Sequence, residues 1–355
     1  MTIAIDARDV RTAQVHEAIE AFFAERARAA ARYGPDYARL WRTAAQTVRG
    51  GKFVRPELLL VAHGAMAANA PRSPRVIVDA AAAVELLHYA FVLHDDVIDG
   101  DQLRRGQPNL QGAVAASAEP SVGQARAAHW AATSGILMGD LMLSGVYQLI
   151  AGLDVPATTR SRLLSVLGDT IDETVAGEHA DVGLAHGIIS PDLGTILAMC
   201  ANKTATYTFE LPLAFAAILA DAPPEVVRSL TRAGRHLGLA FQLQDDLLSV
   251  FGDPARHGKD AGSDLREAKV TAIIAHARSS AAWPRIEPLL GRELDAAELR
   301  RARLLLMKSG AKAEVERHID EALGGFRAAL GDQAVPAGVR AGLLRFASAL
   351  QGRAA

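Results

Sequence analysis

Cysteine, aromatic side chains and net charge are all scarce in this sequence. Cys200 is the single cysteine among 355 residues, and aromatic residues make up 5% of them. One cysteine excludes an internal disulfide framework and a cysteine-based zinc cluster, and it is typical of a reducing compartment such as the cytoplasm. Lysine and arginine number 38 against 40 acidic residues, a formal net charge of −2. No overall basic field is therefore present for nucleic acid, and we expect any phosphate binding to be local.

Long uninterrupted apolar runs are missing as well. The start of the chain, MTIAIDARDV, is broken by acidic residues, so we expect no secretory signal. The most apolar later segments are Gly135–Gly152, which contains Asp140, and Leu211–Ala220. They contain a charge or fall short of the about 18 uninterrupted apolar residues that a membrane span needs. We therefore expect core helices and no membrane span.

Alanine and leucine at helical spacing are what the sequence has in abundance. Half of the residues are hydrophobic and 22% are charged, which excludes disordered and fibrous classes and suffices for a large core. Apolar positions follow the helical period, and breaks fall at proline and glycine without a long linker. The pattern predicts an all-α, single-domain protein over residues 1–355, with motifs at about 50–271 and C-terminal helices at about 285–352. The predicted helices are Arg11–Arg32, Glu57–Ala68, Pro74–Asp99, Ala125–Gly152, Ala157–Val182, Leu193–Leu219, Glu225–Phe251, Lys269–Arg278, Ala296–Ser309 and Ala313–Leu330.

Two segments share a layout that points to chemistry. The first is Phe91–Asp101, followed by Leu103–Gly106, and the second is Phe241–Ser249, followed by Gly252–Asp260. In each, an apolar helix delivers paired carboxylates near its C-terminal end, and a glycine-containing loop then supplies cations.

The carboxylates of these segments suit a divalent metal ion. Asp95 and Asp99 lie one turn apart on one helix face, and His88 lies two turns before Asp95 on nearly the same stripe. Carboxylates at a helix C-terminus face the negative end of the macrodipole, an arrangement that a cation relieves. Oxygen ligands suit Mg²⁺, which completes its shell with water and substrate phosphate. We expect Asp245 and Asp246 to supply the opposite wall of the same site.

Basic side chains flank the acidic segments. This pattern predicts that a phosphate group binds beside the metal ion. They are Lys52, Arg55, Arg104, Arg105, Lys203, Lys259 and Lys269. In the string from Gly50 to Pro56, proline at a first helical position would place backbone N–H groups and the positive helix end beside two basic residues. The sequence therefore predicts a metal-and-phosphate clamp.

Taken in order, these strings resemble the trans (E-type) polyprenyl diphosphate synthase family, and in particular its short-chain farnesyl and geranylgeranyl diphosphate synthases. The matching strings are Gly50–Pro56, Glu85–His88, His94–Asp99 with Leu103–Gly106, Lys203-Thr204, and Phe241–Asp246 with Gly258-Lys259. The resemblance implies the isoprenoid synthase fold, a bundle of long helices around a central apolar cavity. It also implies a homodimer with a complete site in each subunit.

Members of this family join an allylic diphosphate (dimethylallyl, geranyl or farnesyl) to isopentenyl diphosphate, head to tail, and release pyrophosphate. The resemblance implies about three Mg²⁺ ions per site, with Mn²⁺ as a substitute. It makes Asp95, Asp99 and Asp245 the metal ligands, supported by Asp96 and Asp246.

The same resemblance implies roles for the other motif residues. Contacts to the allylic diphosphate fall to Arg104, Lys203 and Lys259. The isopentenyl diphosphate site falls to Lys52, Arg55, His88 and Arg105. Thr204 and Gln242 would face the developing carbocation. Cys200 is expected to be plain core packing.

Three positions depart from the family's usual pattern. Phe53 stands where a second basic residue is usual, so we expect a weaker or reshaped isopentenyl diphosphate site. Ser249 replaces the third aspartate of the second motif, which predicts retained activity with a looser third metal. Glu178 stands where glutamine is usual, and it would either alter substrate preference or be ion-paired.

Product length is expected to depend on the side chains below Asp95. Phe91 is bulky and one turn away, whereas its neighbour Ala90 and the deeper Ala80–Ala83 are small. A partly blocked tunnel predicts an all-trans product of C15 to C20, with geranylgeranyl diphosphate slightly favoured.

Three other functions compete with this interpretation. A class I terpene cyclase also has two metal motifs, but its second one normally begins with asparagine and ends with glutamate, unlike Asp245-Asp246. A carboxylate-bridged di-iron bundle needs a pair of Glu-x-x-His motifs, and the chain has only Glu85–His88. A catalytically silent regulatory subunit of a prenyl synthase is the third alternative, against which the intact motifs argue.

Overall fold

The structure is a computed structural model that describes residues 7–48, 50–51, 53–66, 73–252 and 262–352. Most of these residues lie in helices, which confirms the all-α prediction. The helices of the first half are α1 (Ala7–Ala30), α2 (Pro35–Thr47), α3 (Val54–Met66), α4 (Pro74–Ile98), α5 (Leu110–Ala116), α6 (Gln124–Ala151) and α7 (Ala157–Ala185). Strands β1 (Leu103–Arg104) and β2 (Gln107–Pro108) form a small antiparallel hairpin between α4 and α5.

The second half is helical as well. It contains α8 (Leu193–Cys200), a π-helix (Ala201–Glu210), α9 (Leu211–Leu219), α10 (Pro224–Phe251), α11 (Ser263–Arg266), α12 (Ala272–Arg278), α13 (Trp283–Ile286), α14 (Ala296–Lys308), α15 (Ala311–Leu330) and α16 (Ala337–Gly352). Short 3₁₀ turns occur at Ala31–Tyr33, Pro120–Val122 and Glu287–Leu289.

Backbone contacts divide the chain into two compact units. Unit 1 is Met1–Leu60 with Ala70–Leu164, and unit 2 is Val61–Asn69 with Ser165–Ala355. The prediction of one domain over residues 1–355 is not tested by this division and stays a prediction.

Unit 1 is organised around α4, which packs against α1 and α6. The alanines Ala80–Ala83 of α4 are almost completely buried, and small side chains there let neighbouring helices approach closely. A Cβ atom at Gly139 of α6 would collide with the ring of His94. The close approach of α6 therefore fixes the end of α4 that carries the first acidic motif.

Unit 2 is organised around α10, which packs against α15 and the π-helix. A Cβ atom at Gly238 of α10 would collide with Ala205 of the π-helix, so glycine is what allows these two helices to meet. Cys200 is 4% exposed and belongs to a large apolar cluster of this unit. The prediction that this cysteine packs in the core is confirmed.

Several helix predictions differ from the structure. The predicted helix Leu193–Leu219 is divided into α8, the π-helix and α9, because ten residues in its middle change their hydrogen-bonding pattern. Helices α2 and α5 were not predicted. The buried stripe of α2 consists only of Ala38, Trp41 and Ala44, which is too short a pattern to stand out in the sequence.

By length and composition alone, α4 and α6 could each cross a membrane. The most apolar window of α4 is 78% buried inside the protein, and that of α6 is 44% buried. Core helices pass the same test, so these two helices are weak evidence for a membrane span.

Candidate active site

The first acidic motif lies where α4 ends. Helix α4 stops at Ile98, and Asp99 caps it with its backbone N–H donating to the Asp95 carbonyl at 2.9 Å. Asp95 and Asp99 are thus one turn apart, as the spacing predicted. Asp96 is 2% exposed, whereas Asp99 is exposed.

Arg104, on β1, is joined to this motif. Its Nη2 atom lies 2.6 Å from Asp96 Oδ1 and 3.4 Å from Asp95 Oδ2. Burial raises the pKa of Asp96, and the hydrogen bond from Arg104 acts against that shift. The guanidinium therefore compensates a carboxylate that would otherwise be costly to bury.

The turn of the hairpin sends two neighbouring arginines to different partners. Arg105 and Gly106, between the paired residues Arg104 and Gln107, both have positive φ, 54° and 72°, as a tight two-residue hairpin turn requires. Arg105 Nη1 donates to the Gly50 carbonyl. A non-glycine residue at positive φ, here Arg105, is strained. This strained turn is what directs Arg105 to a different partner from Arg104.

A cavity of about 500 Å³ lies in unit 1 beside these residues. Its walls include the Gly50-Gly51 turn and several polar side chains, among them Glu85, His88, Asp96, Arg104 and Arg105. Basic groups and the acidic motif thus line one concave space, as expected of a site for a charged small molecule.

His88 and Glu85, which line this cavity, also have shifted pKa values. Burial and the charges of Arg55, Arg104 and Arg105 lower the pKa of His88 well below its ordinary value, so its ring is neutral at pH 7. Burial raises the pKa of Glu85, and Arg55 and Arg105 act against that shift.

The Gly50–Pro56 string differs from expectation in the position of its proline. Pro56 is the third residue of α3 rather than its first, since the helix begins at Val54. Phe53, at φ 49°, precedes that helix, and its ring centroid lies 3.8 Å from that of His16. Phe53 lines a second cavity, also of about 500 Å³, with Phe23 and Arg42. Its predicted effect on the isopentenyl diphosphate site stays a prediction.

Lys52 and Lys259, both predicted phosphate contacts, lie outside the described residues. Arg55 is in the first turn of α3, and its charge acts on both His88 and Glu85. The role of Arg55 at the isopentenyl diphosphate site stays a prediction.

The second acidic motif lies on α10 in unit 2. Thr204 Oγ1 donates to Gln242 Oε1 at 3.0 Å, and Gln242 Nε2 donates to Asp246 Oδ1 at 2.8 Å. Asp246 is 6% exposed, and Asp245 is half-buried. The three predicted residues Thr204, Gln242 and Asp246 therefore form one hydrogen-bonded chain.

Ser249, the departure in this motif, is buried and bonded. Its single O–H has two acceptors within reach, the Asp246 carbonyl at 2.8 Å and the Asp264 carboxylate. A carboxylate in place of Ser249 would meet Asp264 and repel it. The expected looser third metal stays a prediction.

Lys203 is held by carboxylates of α7. Its Nζ atom lies 2.8 Å from Glu178 Oε2 and 2.7 Å from Asp181 Oδ2. A Cβ atom at Gly177 would collide with the Lys203 backbone, so glycine at this position brings the two segments together. Of the two expectations for Glu178, the ion pair is present.

A network that sequence patterns did not predict supports the π-helix. Arg235 donates to Asn202 Oδ1 at 2.7 Å, to Glu173 Oε2 at 3.0 Å and to Glu210 Oε1 at 3.2 Å. Burial raises the pKa of Glu210 to about 7. Asn202 and Glu210 lie near the two ends of the π-helix, so Arg235 positions the segment that carries Lys203 and Thr204.

The two residues predicted to limit product length lie on α4. Ala90 is fully buried and Phe91 is half-buried. Neither lines the cavity that contains His88 and Arg105. Their role in product length stays a prediction.

The fold and these groups define a helical protein with two helix-borne aspartate motifs, each close to basic side chains, an arrangement suited to metal-bound diphosphates. The family can be stated as well. The chain matches the family model "Polyprenyl synthetase" over residues 38–303, and it belongs to that family.

Two proteins of similar sequence support the same assignment. A (2E,6E)-farnesyl diphosphate synthase of Mycobacterium tuberculosis is 34% identical over 241 residues, 66% of this chain and 60% of that protein. The match thus spans less than two thirds of that relative. A geranylgeranyl diphosphate synthase of the same species is 30% identical over 298 residues, 82% of this chain and 79% of its own.

A solved structure has the same fold over its whole length. It is a geranylgeranyl pyrophosphate synthase from Corynebacterium glutamicum complexed with isoprenyl diphosphate and magnesium. The two chains are 28% identical with a TM-score of 0.88, covering 98% of this chain and 100% of the other. The expected isoprenoid synthase fold is confirmed.

Proposed function

We propose that this chain is a trans-prenyltransferase that condenses an allylic diphosphate with isopentenyl diphosphate, head to tail, and releases pyrophosphate. The observation that carries the proposal is the unit 1 cavity, in which His88 and Arg105 share one space with Asp96 and Arg104. A basic subsite beside an aspartate motif suits a diphosphate substrate close to a metal-bound one.

The acidic residues fit a hard divalent cation. Asp95, Asp99 and Asp245 offer only oxygen donors, as Mg²⁺ prefers, and Asp95 and Asp99 are one turn apart. We propose about three Mg²⁺ ions per site, with Asp96 and Asp246 supporting the ligands. Bound Mg²⁺ would stabilise the negative charge that accumulates on the departing pyrophosphate.

The chain's other side chains bind and orient the substrates. Arg104, Lys203 and Lys259 hold the allylic diphosphate, and the isopentenyl diphosphate is held by Lys52, Arg55, His88 and Arg105. Neutral His88 serves as a hydrogen-bond donor without adding charge. Thr204 donates a hydrogen bond of 3.0 Å to Gln242, which fixes the orientation of both polar groups. Both face the carbocation.

No protein nucleophile takes part. The allylic C–O bond breaks, the new C–C bond forms between the allylic carbon and the isopentenyl double bond, and a proton leaves to the pyrophosphate. An apolar, water-excluding surround protects the cation from capture.

The product is proposed to be C15 to C20, with C20 slightly favoured, and Phe91 to be the floor of the tunnel. The Phe91→Ala variant is expected to shift products to longer chains, because the aromatic ring is replaced by a methyl group. An unchanged product distribution would remove Phe91 from that role.

The experiment for this function is a product assay of the purified chain. Radiolabelled isopentenyl diphosphate is supplied with Mg²⁺ and, separately, dimethylallyl, geranyl and farnesyl diphosphate, and the products are sized. Labelled prenyl diphosphate supports the proposal. Hydrocarbon formed from one allylic diphosphate alone would indicate a terpene cyclase. No turnover with any primer would favour a catalytically silent regulatory subunit.

We also propose a cytoplasmic homodimer. On α6 of unit 1, Trp130, Ile136, Leu137 and Tyr147 are 38% to 55% exposed and fall on one half of the helix surface at 100° per residue. An apolar face of this kind is suited to a second copy of the chain. Light scattering is expected to give twice the monomer mass for the wild type and the monomer mass for Leu137→Lys; a monomeric wild type would contradict the proposal.

A further inference from the structure

Away from both acidic motifs, unit 2 brings three metal-binding side chains together where α12 packs against α15. They are His276, Glu314 and His318, and one ligand atom of each lies within 4.8 Å of the others. The two imidazole rings are stacked at 26° with centroids 5.4 Å apart. Glu314 and His318 are one turn apart on α15, so they share a helix face.

The orientation of the rings favours metal binding through their Nε2 atoms. His318 Nδ1 lies 3.2 Å from Glu321 Oε2, and a carboxylate at one ring nitrogen is the usual support of a metal-binding histidine. His276 Nε2 is a buried atom that has no hydrogen-bond partner among the described residues. A metal ion would satisfy that nitrogen.

One cation competes for this position. Arg317 Nη2 lies 2.8 Å from Glu314 Oε2 and 3.3 Å from His318 Nε2, and Arg317 Nη1 pairs with Glu321. Arg317 is 49% exposed, and ion pairs of exposed side chains contribute little stability. A metal ion can therefore displace Arg317 from Glu314 while the arginine keeps its contact with Glu321.

We propose that His276, Glu314 and His318 bind a Zn²⁺-type transition-metal ion, with water completing a four-coordinate shell, and that this ion ties α12 to α15. Two imidazoles and one carboxylate are a recurrent zinc ligand set, whereas Mg²⁺ prefers oxygen ligands throughout. The site is chemically distinct from the aspartate motifs.

Equilibrium dialysis of the metal-free full-length chain against Zn²⁺ alone tests this proposal. The background carries Asp95→Asn, Asp99→Asn, Asp245→Asn and Asp246→Asn, which removes competing binding at both acidic motifs. One Zn²⁺ per chain is expected, with loss of binding in His318→Ala and about 10- to 100-fold weaker binding in Glu321→Gln. Thermal unfolding is expected at a higher temperature with Zn²⁺ than without it.

Glu316→Gln is the matched control, because Glu316 lies on α15 and pairs with Lys312 rather than with the cluster; its Zn²⁺ affinity is expected to be unchanged. Co²⁺ in place of Zn²⁺ is expected to give the intense visible absorption of a four-coordinate ion. The proposal is overturned if the background chain binds no Zn²⁺, if His318→Ala and Glu314→Gln both bind it as well as the background does, or if Co²⁺ gives only a weak six-coordinate spectrum.

Discussion

Arg104 in unit 1 and Lys203 in unit 2 carry the same charge but are held in different ways. Arg104 contacts Asp95 and Asp96, the acidic motif itself. Lys203 contacts Glu178 and Asp181 on α7, outside the second motif. A metal ion bound by Asp95 would compete with Arg104 for that carboxylate, whereas Glu178 and Asp181 would continue to neutralise Lys203. Metal binding at Asp95 would therefore change the charge around Arg104 and leave that around Lys203 as it is.

The largest expected effect comes from removing Asp95, the carboxylate that Arg104 contacts and that we propose as a metal ligand. Asp95→Ala is expected to lower kcat by about 1,000-fold or more, because several kcal/mol of transition-state charge stabilisation is lost at about 1.4 kcal/mol per tenfold. Steady-state kinetics with Mg²⁺ measures it. Asp101→Asn, an exposed carboxylate in the same turn region, is the control and should keep most activity. A near wild-type rate for Asp95→Ala would remove it from the metal site.

The adjacent arginines Arg104 and Arg105 allow a sharper comparison within unit 1. Arg104→Gln is expected to raise KM for the allylic diphosphate about 10- to 100-fold, and Arg105→Gln to raise KM for isopentenyl diphosphate by a similar factor, since each loses a charge-assisted hydrogen bond. Each variant is the other's control. Kinetics with one substrate varied at a time would reveal the crossed pattern, and equal effects on both substrates would contradict separate roles.

A smaller effect is expected from the carboxylate that neutralises Lys203. Glu178→Gln is expected to lower KM for the allylic diphosphate about two- to fivefold, because Lys203 then has more charge to offer the proposed phosphate, although Asp181 still pairs with it. Asp172→Asn, exposed on the same helix, should change nothing. A higher KM in Glu178→Gln would mean that the carboxylate assists binding.

A further comparison is on stability rather than on kinetics, and it concerns the Arg235 network of unit 2. The unfolded chain releases the Glu210 proton near pH 4.5, but burial raises the folded pKa to about 7. The folded state therefore binds more protons in this window, and the free energy of unfolding falls as pH rises through it, by at most about 3 kcal/mol.

Urea unfolding between pH 5 and pH 8 checks this shift in Glu210. Glu210→Gln is expected to flatten the pH dependence of stability, and Glu225→Gln, an exposed carboxyl at the start of α10, to leave it unchanged. Identical slopes for wild type and Glu210→Gln would show that the buried carboxyl does not titrate in this range.

The sequence predicted the long helices and the acidic motifs because both depend on local spacing. Asp95 and Asp99 are one turn apart wherever a helix forms, and the apolar period of α4 marks that helix clearly. That Thr204 and Gln242 share a site was implied only by the family resemblance, and their hydrogen bond was not predicted, since 38 residues separate the two.

Contacts set by tertiary packing were not predictable in the same way. Arg235 meets Asn202, Glu173 and Glu210 from distant positions, and no spacing pattern marks such a network. The positive φ of Arg105, which separates it from Arg104, likewise depends on the hairpin and not on residue preference. The cluster of His276 with Glu314 and His318 needs two helices packed together before it exists.

The central claim is that Mg²⁺ held by the acidic motifs drives condensation of two diphosphates. The most direct test measures labelled C15 to C20 product and pyrophosphate together, with farnesyl or geranyl diphosphate as primer, in wild type and Asp95→Ala, with Mg²⁺ and with excess chelator. We predict one pyrophosphate for each isopentenyl unit incorporated into product, and only in the wild type with Mg²⁺. Product formed at an undiminished rate in chelator, or by Asp95→Ala, would contradict the account.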